Sequence, residues 1–182
     1  MRRAIIAATA VLVLLPSNAQ AAPDRTITIE KGASATWNGT AATAANVTHF
    51  WTEDDAALPE ACAKDPQNYC DYTLVALSYP LTQAEKDAGK TFHTRNATFT
   101  LTEFTPIAGP IQDFDQKIYA SDAQGTKGEF INTPWTTAQP PASDESHSTS
   151  VKTTLTEPVK YYLVEVIYFN TVNGSYRGTV TF

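Results

Sequence analysis

Two aspartates at alternate positions, Asp113 and Asp115, are the strongest candidates for chemistry in this sequence. Residues i and i+2 of a β-strand project from the same face, so an extended chain would place these carboxylates side by side. Like charges this close repel each other unless a cation or a hydrogen-bond donor lies between them. Calcium, the natural extracellular cation, needs about six to eight oxygen ligands, and Asp122 is a further candidate ligand. The pattern therefore predicts a calcium site at Asp113, Asp115 and Asp122, with backbone hydrogen bonds at a strand start as the alternative.

Tryptophan and histidine side chains suggest two other kinds of site. Trp135 lies among polar and proline residues, where burial is least expected, so we predict that it lines a ligand-binding surface. The three histidines do not form a metal-binding or nucleophile motif. A small exported hydrolase is the alternative function, and it would need His93 or His49 beside a carboxylate or a serine in a concave pocket.

The first 21 residues have the three-part pattern of a secretory signal peptide. Arg2 and Arg3 form a basic start, residues 4–15 are apolar, and Ala19-Gln20-Ala21 is a small-x-small sequence of the kind that precedes a cleavage site. We therefore expect residues 1–21 to be removed, leaving a secreted, extracellular single domain over 22–182.

Composition limits the class of protein and its partners. The 182 residues include 13 Lys+Arg and 19 Asp+Glu, and the apolar fraction of 42% fits a folded domain. An acidic chain without a basic cluster is not expected to bind nucleic acid or an anionic membrane surface. Nothing in the sequence demands more than a monomer, and calcium is the only cofactor that the residues suggest.

Cys62 and Cys70 are the only cysteines. In an oxidising compartment we expect them to form a disulfide. Zinc ligation is the alternative, but two cysteines without a second Cys or His pair nearby are poor zinc ligands.

Alternating polar and apolar residues predict β-strands throughout the chain. The clearest alternation is found in the segments 26–30, 98–102 and 175–182. Residues 71–79 are β-branched and aromatic, and 161–169 are apolar on both faces except at Glu165, which predicts a central strand. Asn173-Gly174, between that strand and the last one, predicts a hairpin.

Two segments depart from the strand pattern. Residues 81–88 can form a short helix that Thr82 and Glu85 would cap and Gly89 would end, with a polar loop as the alternative. Residues 132–150 hold three prolines and many Ser and Thr, which predicts a long polar surface loop.

The order of motifs over residues 62–182 resembles the bacterial pre-peptidase C-terminal domain family, in particular its secreted actinobacterial members. The motifs are Asp113-Phe114-Asp115, Ile118-Tyr119, Ser121-Asp122, Gly125, Tyr161-Tyr162-Leu163-Val164-Glu165-Val166 and Gly174-Ser175-Tyr176-Arg177-Gly178. Two stretches depart from the family pattern, Gln116-Lys117 and Pro158-Val159-Lys160. The resemblance implies a secreted jelly-roll sandwich without catalytic machinery, and some relatives bind collagen, carbohydrate or calcium.

These observations together predict an all-β, antiparallel, jelly-roll-like β-sandwich with one disulfide. The predicted function is that of a free-standing, secreted, non-catalytic binding or accessory module. Its expected partner is an extracellular polymer or a protein.

Overall fold

The computed structural model of the chain describes residues 22–41, 70–104, 113–131, 145–169 and 174–182. These residues form strands joined by turns, together with one short helix. The elements are β1 (Arg25–Glu30), β2 (Ser34–Ala41), β3 (Cys70–Ser78), α1 (Gln83–Asp87), β4 (Phe92–Phe104), β5 (Asp113–Ser121), β6 (Lys127–Phe130), β7 (Glu145–Thr154), β8 (Val159–Phe169) and β9 (Gly174–Thr181).

The strands form two sheets, which confirms the all-β prediction. Sheet A has the order β1-β3-β8-β5-β6, and sheet B has the order β2-β9-β4-β7. The pairs are antiparallel except that β1 runs parallel to β3 at the edge of sheet A. The predicted antiparallel sandwich is therefore right except at this edge.

The main core lies between the two sheets, because alternate residues of both point inward. Sheet A contributes Ile29, Val75, Leu77, Phe114, Ile118, Val164 and Val166, and sheet B contributes Trp37, Phe99, Leu101, Val151, Tyr176 and Val180. The alternation predicted for the last strand is confirmed, since Tyr176, Val180 and Phe182 are all buried. The central position of β8 is confirmed as well, since it pairs with β3 on one side and β5 on the other.

The predicted hairpin at Asn173-Gly174 is wrong. β8 lies in sheet A and β9 lies in sheet B, so the two strands do not pair. A hairpin signal describes only a local reversal of the chain, whereas the sheet that each strand joins depends on how its apolar residues pack in the core between the two sheets.

The predicted polar loop over 132–150 extends too far. Residues 145–150 belong to β7, which pairs with β4, and Ser148 shares a hydrogen bond of 2.8 Å with Thr98. This end of β7 has polar residues on both faces, so hydrophobicity could not reveal it. Residues 132–144 lie outside the described part of the chain.

The predicted helix is present as α1. The Thr82 hydroxyl accepts from the Glu85 N–H at 3.3 Å, and Glu85 Oε2 accepts from the Thr82 N–H at 3.0 Å, which is a capping box. Gly89 follows the helix with a φ of 78°, a conformation that glycine adopts at little cost. Among the described residues, no helix has the length and hydropathy that crossing a bilayer requires.

Candidate functional site

A partly buried ion pair with a tyrosine joins the two sheets, and we call it the inner cluster: Arg25, Asp71 and Tyr176. Arg25 Nη2 donates to Asp71 Oδ2 at 3.0 Å, and the Tyr176 hydroxyl donates to the same oxygen at 2.5 Å. Arg25 Nη1 also donates to Thr73 Oγ1 at 3.3 Å. Because Asp71 lies in sheet A and Tyr176 in sheet B, the carboxylate connects the two layers.

The position of the Tyr176 ring depends on a glycine in the neighbouring strand. Tyr176 of β9 pairs with Gly39 of β2, and a Cβ added at Gly39 would lie 2.2 Å from the Tyr176 ring. The absence of a side chain at Gly39 therefore lets the ring lie flat over β2 and reach Asp71. Two residues away, the Trp37 ring covers Gly178 in the same manner.

The Asp71 carboxylate is not fully satisfied by the described residues. Its side chain is 5% exposed, and Oδ1 is buried without a hydrogen-bond partner among them. Burial raises the pKa of Asp71 above its usual value, although the Tyr176 hydroxyl and Arg25 act in the opposite direction. An unpartnered buried polar atom costs about 1–3 kcal/mol. Such an atom is therefore a candidate for binding a ligand donor.

Asp71 lines a cleft of about 390 Å³ where β1, β2 and the start of β3 meet. The lining residues are Asp24, Arg25, Asn38, Gly39, Thr40, Cys70 and Asp71. Asp24 is exposed and its Oδ2 accepts from the Tyr72 N–H at 2.7 Å, which fixes its carboxylate beside β3. Two carboxylates and one guanidinium thus lie at one concavity, and ligand sites typically combine a concavity with a few polar groups.

A second buried carboxylate lies on the opposite face of sheet A, and we call it the outer cluster: Tyr119, Lys127 and Glu165. Glu165 is 1% exposed and forms an ion pair with Lys127, while the Tyr119 hydroxyl lies 3.4 Å from Oε1. The Lys127 ammonium lies 4.3 Å from the centre of the Tyr119 ring. Tyr72 pairs with Glu165 across β3 and β8, so the two clusters lie back to back at neighbouring positions of β3.

His93, which the hydrolase alternative requires, is buried against aromatic residues. Its ring stacks on Tyr79 with centroids 3.7 Å apart, and its Nε2 lies 3.2 Å from Glu85 Oε2. That contact does not have hydrogen-bond geometry, so Nε2 has no partner among the described residues. His93 does not line the Asp71 cleft. His49 lies outside the described residues, and His147 belongs to β7, where burial lowers its pKa.

The structure does not bring the three predicted calcium ligands together. Asp113 is the first residue of β5, and Asp122 follows its last residue. Since a strand rises about 3.3 Å per residue, Asp113 and Asp122 lie about 30 Å apart. The Asp122 carboxylate instead accepts from the N–H groups of Gln124 and Thr126 at 3.0 and 2.9 Å.

Asp115 shares a face of β5 with Asp113, as predicted. The side chain of Asp113 lies outside the described part of the structure. Within that part, no group of three or more His, Cys, Asp or Glu side chains is placed to hold a metal ion. Calcium binding at this end of β5 stays a prediction.

The other predicted site residues are only partly described. Cys70 is buried as the first residue of β3, but Cys62 lies outside the described residues, so the disulfide stays a prediction. Trp135 also lies outside them. Trp37 is 5% exposed and belongs to the core. The exposed large apolar side chains of the described part are Phe92, Phe130 and Leu155, which are not neighbours in any strand pair.

Sequence reasoning missed the inner cluster, although one signal was present. Asp71 opens an otherwise apolar and aromatic strand, where a charged residue needs a partner when it is buried. The partners cannot be identified from the sequence, because they lie 46 and 105 positions away.

Two comparisons, with protein families and with curated proteins, give no relative of this chain. No protein-family model matches it, and no curated protein matches it closely enough to count as a relative.

Proposed function

We propose that this chain is a secreted, non-catalytic module that binds an extracellular polysaccharide in the Asp71 cleft. The observation that carries the proposal is the buried Asp71 oxygen without a partner among the described residues, on the wall of a polar concavity. A sugar hydroxyl is both a donor and an acceptor, so it matches a lining that mixes acceptors with donors.

The composition of the cleft favours a polyhydroxylated ligand over an apolar one. β2 lines the cleft with two polar residues and a glycine, Asn38, Thr40 and Gly39. Arg25 offers guanidinium donors and Asp24 offers carboxylate acceptors from β1 and the residue before it. These groups lie on strand edges held by two sheets, which gives the site a rigid base.

The sequence supports the same proposal independently. A predicted signal peptide gives access to extracellular polymers, and the pre-peptidase C-terminal domain resemblance suggests a jelly-roll binding module without catalytic residues. A jelly-roll arrangement is the finer topology that we propose for the two observed sheets.

A binding assay on insoluble polymers tests the proposal. The mature chain, predicted as residues 22–182, is incubated with cellulose, chitin, collagen or bacterial cell wall, with calcium or with a chelator. We expect retention on a polysaccharide but not on collagen. Asp24→Asn removes the charge of one exposed carboxylate of the cleft at nearly constant shape and should weaken retention, whereas Glu30→Gln, which changes an exposed carboxylate at the other end of β1, should not.

Each result of this assay has a defined meaning. Absence of retention on every polysaccharide would refute the proposed function. Equal loss with Asp24→Asn and Glu30→Gln would show that binding does not involve the cleft. Loss with Trp135→Ala would extend the site to that predicted residue, and loss with the chelator would support the calcium prediction at Asp113 and Asp115.

A further inference from the structure

The outer face of sheet A, which points away from sheet B, is buried along its central strands although no described element lies on it. We propose that residues 42–69 pack on this face along β3 and β8 and so form a third layer of the domain. This packing is independent of polysaccharide binding in the Asp71 cleft.

The buried side chains of this face come from the two central strands. Tyr72 and Leu74 of β3 are 5% and 3% exposed, and Leu163 and Ile167 of β8 are both 0% exposed. They point outward, because the residues that alternate with them, such as Val164, lie in the core between the sheets. Side chains stand roughly perpendicular to a sheet, so on an open face these four would reach into solvent. A covering layer is therefore required.

The described elements do not supply this layer. Sheet B packs against the inner face of sheet A, and α1, the only helix of the described part, makes no extensive contact with any strand. The margins of the outer face are less buried, since Thr26 and Thr28 of β1 are exposed and Tyr119 of β5 is half-buried. The layer therefore follows the central strands and comes from residues outside the described part.

The length and the ends of residues 42–69 favour this segment. It is the longest stretch between two described strands, and it ends directly before Cys70. Cys70 is itself 3% exposed and packs with Tyr72, Leu163 and Ile167 on the outer face. The covered strip from Cys70 to Ala76 is about 20 Å long at about 3.3 Å per residue, so this segment is long enough to run along it and return.

The other segments outside the described part fit the face less well. Residues 105–112 and 170–173 each join a strand of one sheet to a strand of the other, so much of their length is needed to cross about 10 Å between the sheets. Residues 132–144 join the two edge strands β6 and β7, hold three prolines and have Trp135 as their only large apolar residue.

Composition and the predicted disulfide favour the same segment. The large apolar residues of 42–69 are Val47, Phe50, Trp51, Leu58 and Tyr69. Burial of apolar side chains against the outer face of β3 and β8 removes both surfaces from water, which is favourable. Cys62 also belongs to the segment, and its predicted bond to Cys70 would hold it beside this face, because the Cα atoms of bonded cysteines are about 4–7 Å apart.

Photo-crosslinking of the whole mature chain tests the proposal. A diazirine analogue of leucine replaces Leu163, which changes the buried side chain little, and mass spectrometry identifies the peptides that it joins after irradiation. We expect crosslinks to peptides within residues 42–69. The same analogue at Leu101, in the core between the sheets, is the control and should crosslink to other core residues instead.

The possible results separate the segments. Crosslinks from position 163 to residues 132–144, to residues 105–112 or to a second chain would overturn the assignment of residues 42–69. Reaction with water alone would show that the face is open in the mature chain, and would overturn the third layer.

Two tryptophan variants give a second, matched readout by covalent labelling with a soluble carbene. In Trp51→Asp, labelling of Leu163 should rise towards that of Leu155, which is 51% exposed, whereas Trp135→Asp should leave it unchanged. Equal effects of the two substitutions would contradict the proposal. If Trp51→Asp does not fold, crosslinking at position 163 decides, because it leaves the sequence of 42–69 intact.

Discussion

The inner and outer clusters contain the same kinds of groups but satisfy them differently. Each has a buried carboxylate, one cation and a tyrosine hydroxyl, and they lie on opposite faces of sheet A. Glu165 uses both of its oxygens, whereas Asp71 uses Oδ2 twice and leaves Oδ1 without a partner among the described residues. The outer cluster therefore has the features of a structural ion pair, while the inner cluster keeps an unused binding group beside a cleft.

The same set of groups can therefore form either a structural ion pair or a candidate ligand site. A buried ion pair is favourable only when its remaining polar atoms are satisfied. Glu165 meets this condition through protein groups. Asp71 does not, and its unmet requirement is what makes the cleft a candidate ligand site.

The largest expected effect comes from removing the cations. Lys127→Met leaves Glu165 buried and uncompensated, so we expect the free energy of unfolding to fall by about 3 kcal/mol. Arg25→Met should cost less, about 1–2 kcal/mol, because Asp71 keeps the short bond from Tyr176 and is already inclined to hold a proton. Urea unfolding measures both values. An equal or reversed order would show that the outer cluster is not the better satisfied one.

The predicted disulfide should have the next largest effect. Cys70 precedes Asp71 directly and packs with Tyr72 on the outer side of β3. Reduction of a Cys62–Cys70 bond should lower the free energy of unfolding by about 2.5 kcal/mol. Thiol titration of the denatured, unreduced protein should find no free thiol. Two titratable thiols would refute the disulfide.

Removal of the tyrosine hydroxyl should cost more stability in the inner cluster than in the outer cluster, because the hydrogen bond of Tyr176 is shorter than that of Tyr119. Tyr176→Phe removes a donor 2.5 Å from a buried carboxylate and should cost about 2 kcal/mol. Tyr119→Phe removes a donor at 3.4 Å and should cost less than about 1 kcal/mol. Unfolding curves of the two variants make a matched pair, and similar losses would contradict the difference between the clusters.

The smallest effect is a difference in pH dependence. Burial raises the pKa of Asp71, so its contribution to stability is present at low pH and is lost as the pH rises through the folded pKa. The Glu85 carboxylate behaves in the opposite way. Its bonds to the Thr82 N–H and Lys90 lower its pKa to about 2, so its contribution is present above the unfolded pKa of 4.5 and lost as the pH falls towards 2.

Urea midpoints measured between about pH 2 and pH 7 test these two signs. The wild-type protein should lose the contribution of Asp71 as the pH rises, and the Asp71→Asn variant should not show this loss. It should lose the contribution of Glu85 as the pH falls, and the Glu85→Gln variant should not show that loss. The same sign of change for both variants would mean that Asp71 is not the group with the raised pKa.

The sequence was informative where a pattern is local. The alternation in β9, the capping box of α1 and the apolar pattern of the central strand β8 all depend on neighbours a few residues apart, and the structure confirms them. The sheet to which each strand belongs depends on distant packing, so the predicted β8–β9 hairpin failed. The same limit hid the inner cluster, whose three residues come from three separate strands.

The cleft depends on contacts between residues that lie far apart in the sequence, and this determines when it can form. The bond from Tyr176 to Asp71 joins residues 105 positions apart, and the bond from Arg25 to Asp71 joins residues 46 positions apart. Contacts of such long range form slowly, because the entropy of closing the intervening loops is lost before they are made. If the chain is exported as predicted, the cleft becomes complete only after β9 has emerged and docked. Ligand binding would then report the end of folding outside the cell.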